Sequence, residues 1–459
     1  MERNYKPYEM RSSEVSYKMP PQALELDKLM TPFTTKSRTI DQTLEPIGII
    51  SFNENQNTIR FDLLNGKIIN TSDIVFQADL TITGTALKEY CFDGNSQNIV
   101  NGYRLTINKD VYSFNNINLL NEIISDYMVD LGYKQGFSTT HEQFSNVIDA
   151  TTLASSVLSH GEPYFTANGT IHVSFNPFLP LLNNQKFYLP TYGLERLQLE
   201  IILETNAKAY LVELLATPTP QDASWTLTNA KLHVPYIELL EGEEEFKSGI
   251  GGNMAMIPYF TYANHDNITG GSTERQIPIP TSVSSVRYVV VNLRNEANLT
   301  STAGRNFTRR EAFGLTEIFI TSNGVDYPSN HLRFLGKTKT EVGRLLMNNI
   351  KGFSKINNYT CSKCPRLSSD LVSFTNVDKG KENHVDFIID CEMINNNGER
   401  ITGADFSTGN SRVILRGAFT ACICDIYVVS DAMLVFDGDA SKMDIKINNS
   451  FDRKLLLSE

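Results

Sequence analysis

The sequence predicts an all-β protein built from two β-sandwich domains in tandem. Phe and Tyr dominate its aromatic residues, 25 and 19 against a single Trp, and with abundant Thr, Val and Ile they favour pleated, half-buried strands. Apolar and polar residues alternate over short runs that end in turns containing Asn, Gly or Pro. The 459 residues exceed the roughly 250–300 residues at which a single core stops growing, so at least two domains are expected.

Strand patterns fill the first half of the chain. They are predicted at 47–51, 58–64, 68–85, 103–107, 111–114, 171–175, 196–204 and 225–240. Apolar residues at helical spacing interrupt them at 119–131 and 139–158. Helices inside a β-domain usually cover an edge or an end of the sandwich, and we expect that here.

A second set of strand patterns follows an acidic and glycine-rich stretch. The strands are predicted at 283–293, 315–320, 372–374, 384–389, 412–419, 425–429 and 432–436, with a short helix at 340–350. The stretch between the two sets carries several Glu and Gly residues and is the best domain boundary. We therefore expect an extended N-terminal arm at 1–45, a first sandwich at 46–240, a linker at 241–253, a second sandwich at 254–445 and a C-terminal tail at 446–459.

The two halves also resemble each other in order, which indicates an internal repeat. Three pairs of segments match: 105–112 with 318–327, 196–203 with 412–419, and 225–234 with 427–436, the last pairing Trp225 with Tyr427. Each match is short, but the shared order across one linker favours two copies of a sandwich of about 200 residues.

Several segments resemble the double jelly-roll major capsid proteins, closest to those of polinton-like viruses and virophages. In the second half they are Phe387-Ile-Ile-Asp-Cys-Glu-Met393, Ile401-Thr-Gly403, Ser411-Arg-Val-Ile-Leu415, Asp425-Ile-Tyr-Val-Val-Ser-Asp-Ala-Met-Leu434 and Ile320-Thr-Ser-Asn-Gly-Val-Asp-Tyr-Pro328; in the first half they are Phe175-Asn-Pro-Phe178, Phe187-Tyr-Leu-Pro-Thr-Tyr-Gly193 and Leu197-Gln-Leu-Glu-Ile-Ile-Leu203. The resemblance spans about residues 46–440 as scattered strand patterns. It implies two tandem eight-stranded jelly rolls, with a few short helices in connecting loops.

The resemblance also implies a set of partners. The chain would form homotrimers whose six jelly rolls make a pseudo-hexagonal capsomer, and capsomers would tile an icosahedral shell around double-stranded DNA. Neighbouring capsomers, penton proteins and minor capsid proteins would be the contacts within the virion, after synthesis in the host cytoplasm or nucleus. The arm at 1–45 would run under the shell or to a neighbour, where an internal membrane or the genome could meet it.

Charge and hydropathy argue against several other classes of protein. The net charge is −11, which argues against coating nucleic acid, and no sequence-specific nucleic-acid binding is expected. No signal peptide and no apolar run of membrane-spanning length is visible. The alternatives are a minor capsid or spike protein and a tandem β-sandwich carbohydrate-binding module.

No metal site and no cofactor is predicted, although four cysteines are candidates for zinc ligands. Cys361 and Cys364 form a Cys-x-x-Cys pair that Cys422 and Cys424 could complete as a four-thiolate zinc site. The second pair lies in a β run, where both side chains share a face with Ile426 and small buried cysteines are common.

Other clusters of charged residues give no catalytic constellation. The glutamates of 241–245 form a contiguous run that we expect to be solvated. Arg305, Arg309 and Arg310 are expected in a loop, either solvated or in contact with an acidic surface of a neighbouring subunit. The seven histidines are dispersed without metal spacing. The chain is therefore predicted not to be an enzyme.

Overall fold

The computed structural model describes most of the two predicted domains. The described residues are 37–83, 89–128, 165–166, 169–179, 181–182, 188–206, 211–213, 224–250, 254–295, 310–333, 344–345, 348–349, 386–391, 403–439 and 442–449. The predicted helix at 139–158, the predicted strand at 372–374 and most of the predicted helix at 340–350 lie outside them. Among the described residues, no helix has the length and apolar character needed to cross a membrane.

The first half contains fourteen strands and one α-helix among its described residues. They are β1 (Ser37–Leu44), β2 (Ser51–Asn53), β3 (Thr58–Asp62), β4 (Ile68–Ile69), β5 (Val75–Thr83), β6 (Glu89–Phe92), β7 (Val100–Ile107), β8 (Asp110–Phe114), α1 (Ile117–Met128), β9 (Phe165–Thr166), β10 (Thr170–Phe175), β11 (Leu189–Pro190), β12 (Leu197–Leu203), β13 (Leu211–Glu213) and β14 (Ser224–Leu239). We call this half roll 1. The helix α1 confirms the first of the predicted helical patterns.

The second half follows a short helix. Its elements are α2 (Glu243–Ile250), β15 (Met254–Ile268), β16 (Glu274–Ile279), β17 (Val286–Arg294), β18 (Leu315–Ser322), β19 (Val325–Arg333), β20 (Phe387–Asp390), β21 (Ser411–Gly417), β22 (Cys422–Asp439) and β23 (Lys442–Asn448). We call the part from β15 to β23 roll 2. The segment predicted as a linker thus carries α2, the segment predicted as an arm carries β1, and β23 spans the boundary predicted at 445.

The strand order of roll 2 is that of a jelly roll. Sheet 4 has the order β15-β22-β17-β20, with β23 also paired to β22, and sheet 5 has the order β16-β21-β18-β19. Apart from β23, the eight strands of roll 2, counted along the chain from one to eight, follow 1-8-3-6 in sheet 4 and 2-7-4-5 in sheet 5. All pairs are antiparallel, so both sheets are built from strands that wrap around one sandwich.

Roll 1 repeats this order. Sheet 1 contains β10-β5-β14, with β1 and β2 both paired to β14 and the short β4 and β11 beyond it, and sheet 2 has the order β3-β12-β7-β8. If β1 and β2 are one interrupted strand, the eight main strands of roll 1 follow the same two orders. The small sheet 3, β13-β6-β9, is an addition. The predicted pair of eight-stranded jelly rolls is therefore confirmed.

The internal repeat is correct in its strands and wrong in one register. The hairpin β7–β8 corresponds to β18–β19, β12 to β21 and β14 to β22. The match of Trp225 with Tyr427, however, pairs residues that lie on opposite faces of their sheets. Trp225 alternates with half-exposed Thr226 and faces the core of roll 1, whereas Tyr427 does not join the core of roll 2. Alternating apolar strands resemble one another after a shift of one residue, so short matches cannot fix the face.

The two rolls share apolar contacts, because sheet 4 is buried on both faces. Along β17, Val289 and Val291 belong to the core of roll 2, while Tyr288 and Val290 belong to the cluster that fills roll 1. The strand β22 divides in the same way, and nearly all of its described residues are buried. The first cluster therefore extends from inside roll 1 across the contact to the outward face of sheet 4.

This continuity predicts that the two rolls unfold in one transition. The single Trp of the chain, Trp225, is buried in roll 1, and Cys422 and Cys424 are buried in roll 2. In a denaturant titration of a chain whose other cysteines are replaced by Ser, Trp fluorescence and labelling of these two thiols should share one midpoint. Two separated midpoints would show that the rolls are independent domains.

Candidate functional site: the junction between the two rolls

The hairpin β7–β8 of roll 1 reaches across to the β22–β23 hairpin of roll 2. Its turn begins at Asn108, whose φ of 51° is in the left-handed region that Asn tolerates. The side chain of Asn108 donates from Nδ2 to the carbonyl of Met443 at 2.9 Å and to Oδ1 of Asp444 at 3.1 Å. Its Oδ1 accepts from the backbone N–H of Glu195 at 2.8 Å. One amide thus ties two loops of roll 1 to the last strand of roll 2.

Three further hydrogen bonds cross the junction. The backbone N–H of Ile447 donates to Oη of Tyr112 at 3.0 Å, and that of Met443 donates to the carbonyl of Gly193 at 2.9 Å. The buried Tyr427 donates from Oη to the carbonyl of Asn116 at 2.8 Å, and burial raises its pKa well above the ordinary value. Buried polar groups without partners cost stability, so these bonds fix one relative placement of the rolls.

Aromatic side chains fill the apolar part of the junction. The rings of Phe114 in roll 1 and Tyr259 in roll 2 lie 5.0 Å apart at 50°. Phe178 of roll 1 stacks on Phe260 of roll 2 at 5.2 Å and 14°. Such pairs add directional contacts to the burial of apolar surface. The junction therefore has the apolar centre and satisfied polar contacts of a permanent interface.

A cavity of about 380 Å³ opens at the end of the junction, between the β7–β8 turn and the β22–β23 hairpin. Five of its charged side chains form ion pairs: Lys446 lies 3.5 Å from both Asp437 and Asp444, and Lys442 lies 3.9 Å from Glu195. Exposed pairs of this kind contribute little to stability. The cavity thus marks the rim of the contact between the rolls.

Roll 2 also holds an acidic side chain in a network of donors. Asp425 pairs with Arg294 at 2.6 Å and accepts hydrogen bonds from Tyr262 and His265. Burial alone would raise the pKa of Asp425, but Arg294 and the two hydrogen bonds outweigh it and lower the pKa to about 2. A carboxylate held ionised in this way is a poor proton donor or acceptor near neutral pH, so the network is structural.

A second network contradicts one expectation from the sequence. Arg310 was expected in a solvated loop or at a subunit contact, but its side chain and that of Asp386 are both fully buried and lie 2.7 Å apart. Asp386 also accepts from Nδ2 of Asn292 at 2.9 Å. The expectation was wrong because the pairing carboxylate is distant in sequence, and Arg305 and Arg309 lie outside the described residues.

The cysteines are divided between described and undescribed parts of the chain. Cys422 and Cys424 are buried in the core of roll 2 beside Ile426, as expected for small core residues, and burial raises the pKa of Cys422 to about 12. Cys361 and Cys364 lie outside the described residues, so the structure does not test the four-thiolate zinc site, which was a candidate and not a prediction. The described residues contain no cluster of three or more His, Cys, Asp or Glu that could hold a metal.

The glutamate run lies partly in α2. Lys247 pairs with Glu243 at 2.8 Å and with Glu244 at 3.3 Å. The same lysine lies 5.2 Å from the ring centre of Tyr192, and Phe246 packs edge-on against that ring. The helix is thereby docked on roll 1, which limits the freedom of the connection between the rolls.

No family model matches the sequence, and no curated protein matches it. Solved structures do share its fold. One is in the quasi-atomic model of the PBCV-1 virus capsid, with a TM-score of 0.55, 12% identity, and 90% of this chain and 97% of that chain covered. A second, in the cryo-EM structure of the Sputnik virophage, has a TM-score of 0.53, 12% identity and coverage of 94% and 92%. The mavirus major capsid protein has a TM-score of 0.52, 10% identity and coverage of 93% of both chains.

At these identities the likeness shows the fold. The chain has the double jelly-roll fold of viral major capsid proteins, and the matches extend over nearly the whole of each chain. The resemblance to virophage capsid proteins, predicted from scattered strand segments, is confirmed at the level of fold.

Removing an aromatic contact at the junction should uncouple the rolls. Phe114→Ala deletes a side chain that is only 3% exposed, and the expected loss is about 3–5 kcal/mol of unfolding free energy. Val111→Ala, on the same strand and 54% exposed, is the matched control and should change little. In a denaturant titration, the midpoints from Trp225 fluorescence and from labelling of Cys422 and Cys424 should separate in Phe114→Ala and coincide in Val111→Ala. A single unchanged midpoint would contradict the structural role of the junction.

Replacing one partner of the buried ion pair should lower the unfolding free energy more than replacing both partners with apolar residues. Asp386→Asn removes the carboxylate that pairs with the buried Arg310 and should cost about 3–5 kcal/mol of unfolding free energy. The double variant Arg310→Met and Asp386→Leu should recover most of that loss in the same titration. Glu244→Gln, whose side chain is exposed, serves as the surface control. Equal stability of the single and double variants would refute this account.

Proposed function

We propose that this chain is the major capsid protein of a double-stranded DNA virus or virus-like element. In this proposal three copies form a capsomer with six jelly rolls in a pseudo-hexagonal ring, and capsomers tile an icosahedral shell. The observation that carries the proposal is the permanent junction between two jelly rolls of identical strand order. Two similar units held in one fixed relation form a building block that presents nearly equivalent sides to its neighbours.

The similar solved structures support this proposal through what they are: proteins of the PBCV-1 virus capsid and of the Sputnik virophage, and the mavirus major capsid protein. The residues of the described networks support a structural rather than an enzymatic role. Asp425 and Asp386 are each locked to a buried arginine, and the thiol of Cys422 is kept neutral by burial. These groups stabilise the fold and do not present a reactive centre to solvent.

The proposal extends to the partners and the location of the chain. Self-association into capsomers and contact with neighbouring capsomers follow from the role, with the virion as the site of action. Penton and minor capsid proteins would meet the shell at its vertices and inner surface. The N-terminal segment before β1 would contact a neighbour, an internal membrane or the genome.

Mass and shape of the purified protein test the proposal. Light scattering should give three times the 51.5 kDa chain mass, and negative-stain microscopy should show particles with a hexagonal outline. Obligate interfaces of this type bury more than about 2,000 Å², so the trimer should persist on dilution. A chain that stays monomeric at high concentration would contradict the proposal. A trimer present at only a few copies per virion would instead indicate a minor capsid or spike protein.

A further inference from the structure

The helix α1 of roll 1 buries a polar stripe as well as its apolar residues. Residues 117–125 are all buried, and the polar ones among them are Asn118, Asn121, Glu122 and Ser125. Residues three or four positions apart share a face of an α-helix, so these side chains form one stripe along it. Burial of polar side chains costs free energy unless they find partners. The stripe therefore needs polar groups opposite it.

The stripe faces the connection between β6 and β7. This connection contains a buried 3₁₀ helix, Ser96–Ile99. The carboxylate of Glu122 is fully buried, and its Oε2 accepts from the backbone N–H of Asn95 at 3.2 Å, from Nδ2 of Asn95 at 3.0 Å and from Nδ2 of Asn98 at 3.0 Å. In addition, Nδ2 of Asn121 donates to Oδ1 of Asn95 at 3.2 Å. One carboxylate thus joins the connection to α1.

The close approach of the two elements is visible at Gly94. A Cβ on this residue would lie 2.1 Å from Oε2 of Glu122 and 2.6 Å from Nδ2 of Asn98, and its φ of 96° is in the left-handed region. Both the lack of space and the backbone conformation therefore require glycine. The backbone of the connection fits closely around the carboxylate.

Three oxygen atoms at this contact have no hydrogen-bond partner in the described part of the chain. They are Oγ of Ser96, Oδ1 of Asn98 and Oγ of Ser125, and these residues are 0%, 0% and 6% exposed. The amide of Asn98 is fixed in orientation, because its Nδ2 donates to both Glu122 and the carbonyl of Asp93. Its Oδ1 can only accept. Buried polar atoms of folded proteins nearly always have a partner, so these oxygens indicate a bound group.

Roll 2 contains a similar pair of residues together with a cation. Nδ2 of Asn292 donates to the buried carboxylate of Asp386, as Nδ2 of Asn98 does to that of Glu122. The guanidinium of Arg310 pairs with Asp386 at 2.7 Å. The donors to Oε2 of Glu122 described above are uncharged N–H groups. A positive ion beside Glu122 would stabilise the carboxylate of roll 1 as Arg310 stabilises that of roll 2.

We propose that the carboxylate of Glu122, Oδ1 of Asn98 and Oγ of Ser125 bind a calcium ion between α1 and the 3₁₀ helix. Calcium takes carboxylate and amide oxygens in irregular arrangements, whereas magnesium requires a regular octahedron and zinc prefers nitrogen and sulfur. A site of this composition needs no cluster of three acidic residues. The inference does not depend on the proposed function, because the site lies within one roll of one chain.

The ion would hold one end of roll 1 closed. The 3₁₀ helix lies between β6 and β7, and α1 follows β8, so the site joins connections that extend from three strands. The ligands come together only in the folded chain, and an ion that binds the folded chain alone stabilises it. Calcium is therefore expected to raise the Tm, and a chelator is expected to lower it.

Thermal unfolding with and without calcium tests the site. The Tm of the unaltered chain should be at least about 2 °C higher in millimolar CaCl₂ than in EGTA at equal ionic strength. Asn98→Asp places a second carboxylate beside Glu122, so its Tm should fall in EGTA and recover in CaCl₂. If neither Tm responds to calcium, the inference is overturned and buried water satisfies the three oxygens.

A matched control lies in roll 2. Asn292→Asp alters an equally buried asparagine and places a carboxylate beside Asp386, where Arg310 already supplies the positive charge. Its Tm should fall by the same amount in CaCl₂ and in EGTA. Equal recovery of Asn98→Asp and Asn292→Asp in calcium would show that calcium acts elsewhere, which would overturn the assignment.

Direct measurement of binding covers the case in which Asn98→Asp does not fold. In calorimetric titrations with CaCl₂, the unaltered chain should bind calcium, and Ser125→Ala should raise the Kd at least about tenfold. Ser113→Ala, which alters an exposed serine of β8, should leave the Kd unchanged. A chain that binds no calcium, or equal Kd values for the two variants, would contradict the site.

Discussion

The double burial of sheet 4 is the constraint on which the rest of the structure depends. In a two-sheet sandwich, the outer face of each sheet is normally polar and exposed to solvent. The strands β17 and β22, however, carry apolar residues on both faces. Val289 and Val428 fill roll 2, and their neighbours Val290 and Val429 face roll 1. Water must be excluded from both faces, so roll 2 needs a partner to bury its outward side. Roll 1 is that partner, and the two rolls form one unit.

Burial on this scale requires that polar groups be satisfied wherever they enter the contact. Asn108 meets this requirement by donating two hydrogen bonds to roll 2 and accepting one within roll 1, and Tyr427 meets it with one bond to roll 1. Inside roll 2, Arg310 is satisfied by Asp386. These bonds are directional, so they select one arrangement among the many that apolar contact alone would allow. The result is a rigid pair of rolls, which is what the proposed shell needs.

Much of the fold could be predicted from the sequence, because alternation and turn residues are local signals. The hairpin β7–β8 follows from the strand patterns on either side of Asn108, and the shared order of the strand patterns indicated the repeat. The face of Trp225 relative to Tyr427 could not be predicted, since shifting a strand by one residue preserves its alternation. The sequence of β22 showed a run of apolar residues on both faces of the strand. It did not indicate which domain covers the face that points away from the core of roll 2.

The junction itself was beyond sequence reasoning for a physical reason. Asn108 and Met443, like Arg310 and Asp386, are brought together only by the complete topology. An arginine in a loop has the same local sequence whether it is solvated or buried.

The central proposal is that each chain contributes two jelly rolls, held in one fixed relation, to a closed ring. A cryo-EM reconstruction of the purified assembly, computed without imposed symmetry, tests this claim most directly. The account predicts six sandwiches in a ring with threefold symmetry, in which Phe114 and Phe178 contact Tyr259 and Phe260 within every chain. A ring in which the rolls of one chain are separated or vary in their relative orientation would contradict it.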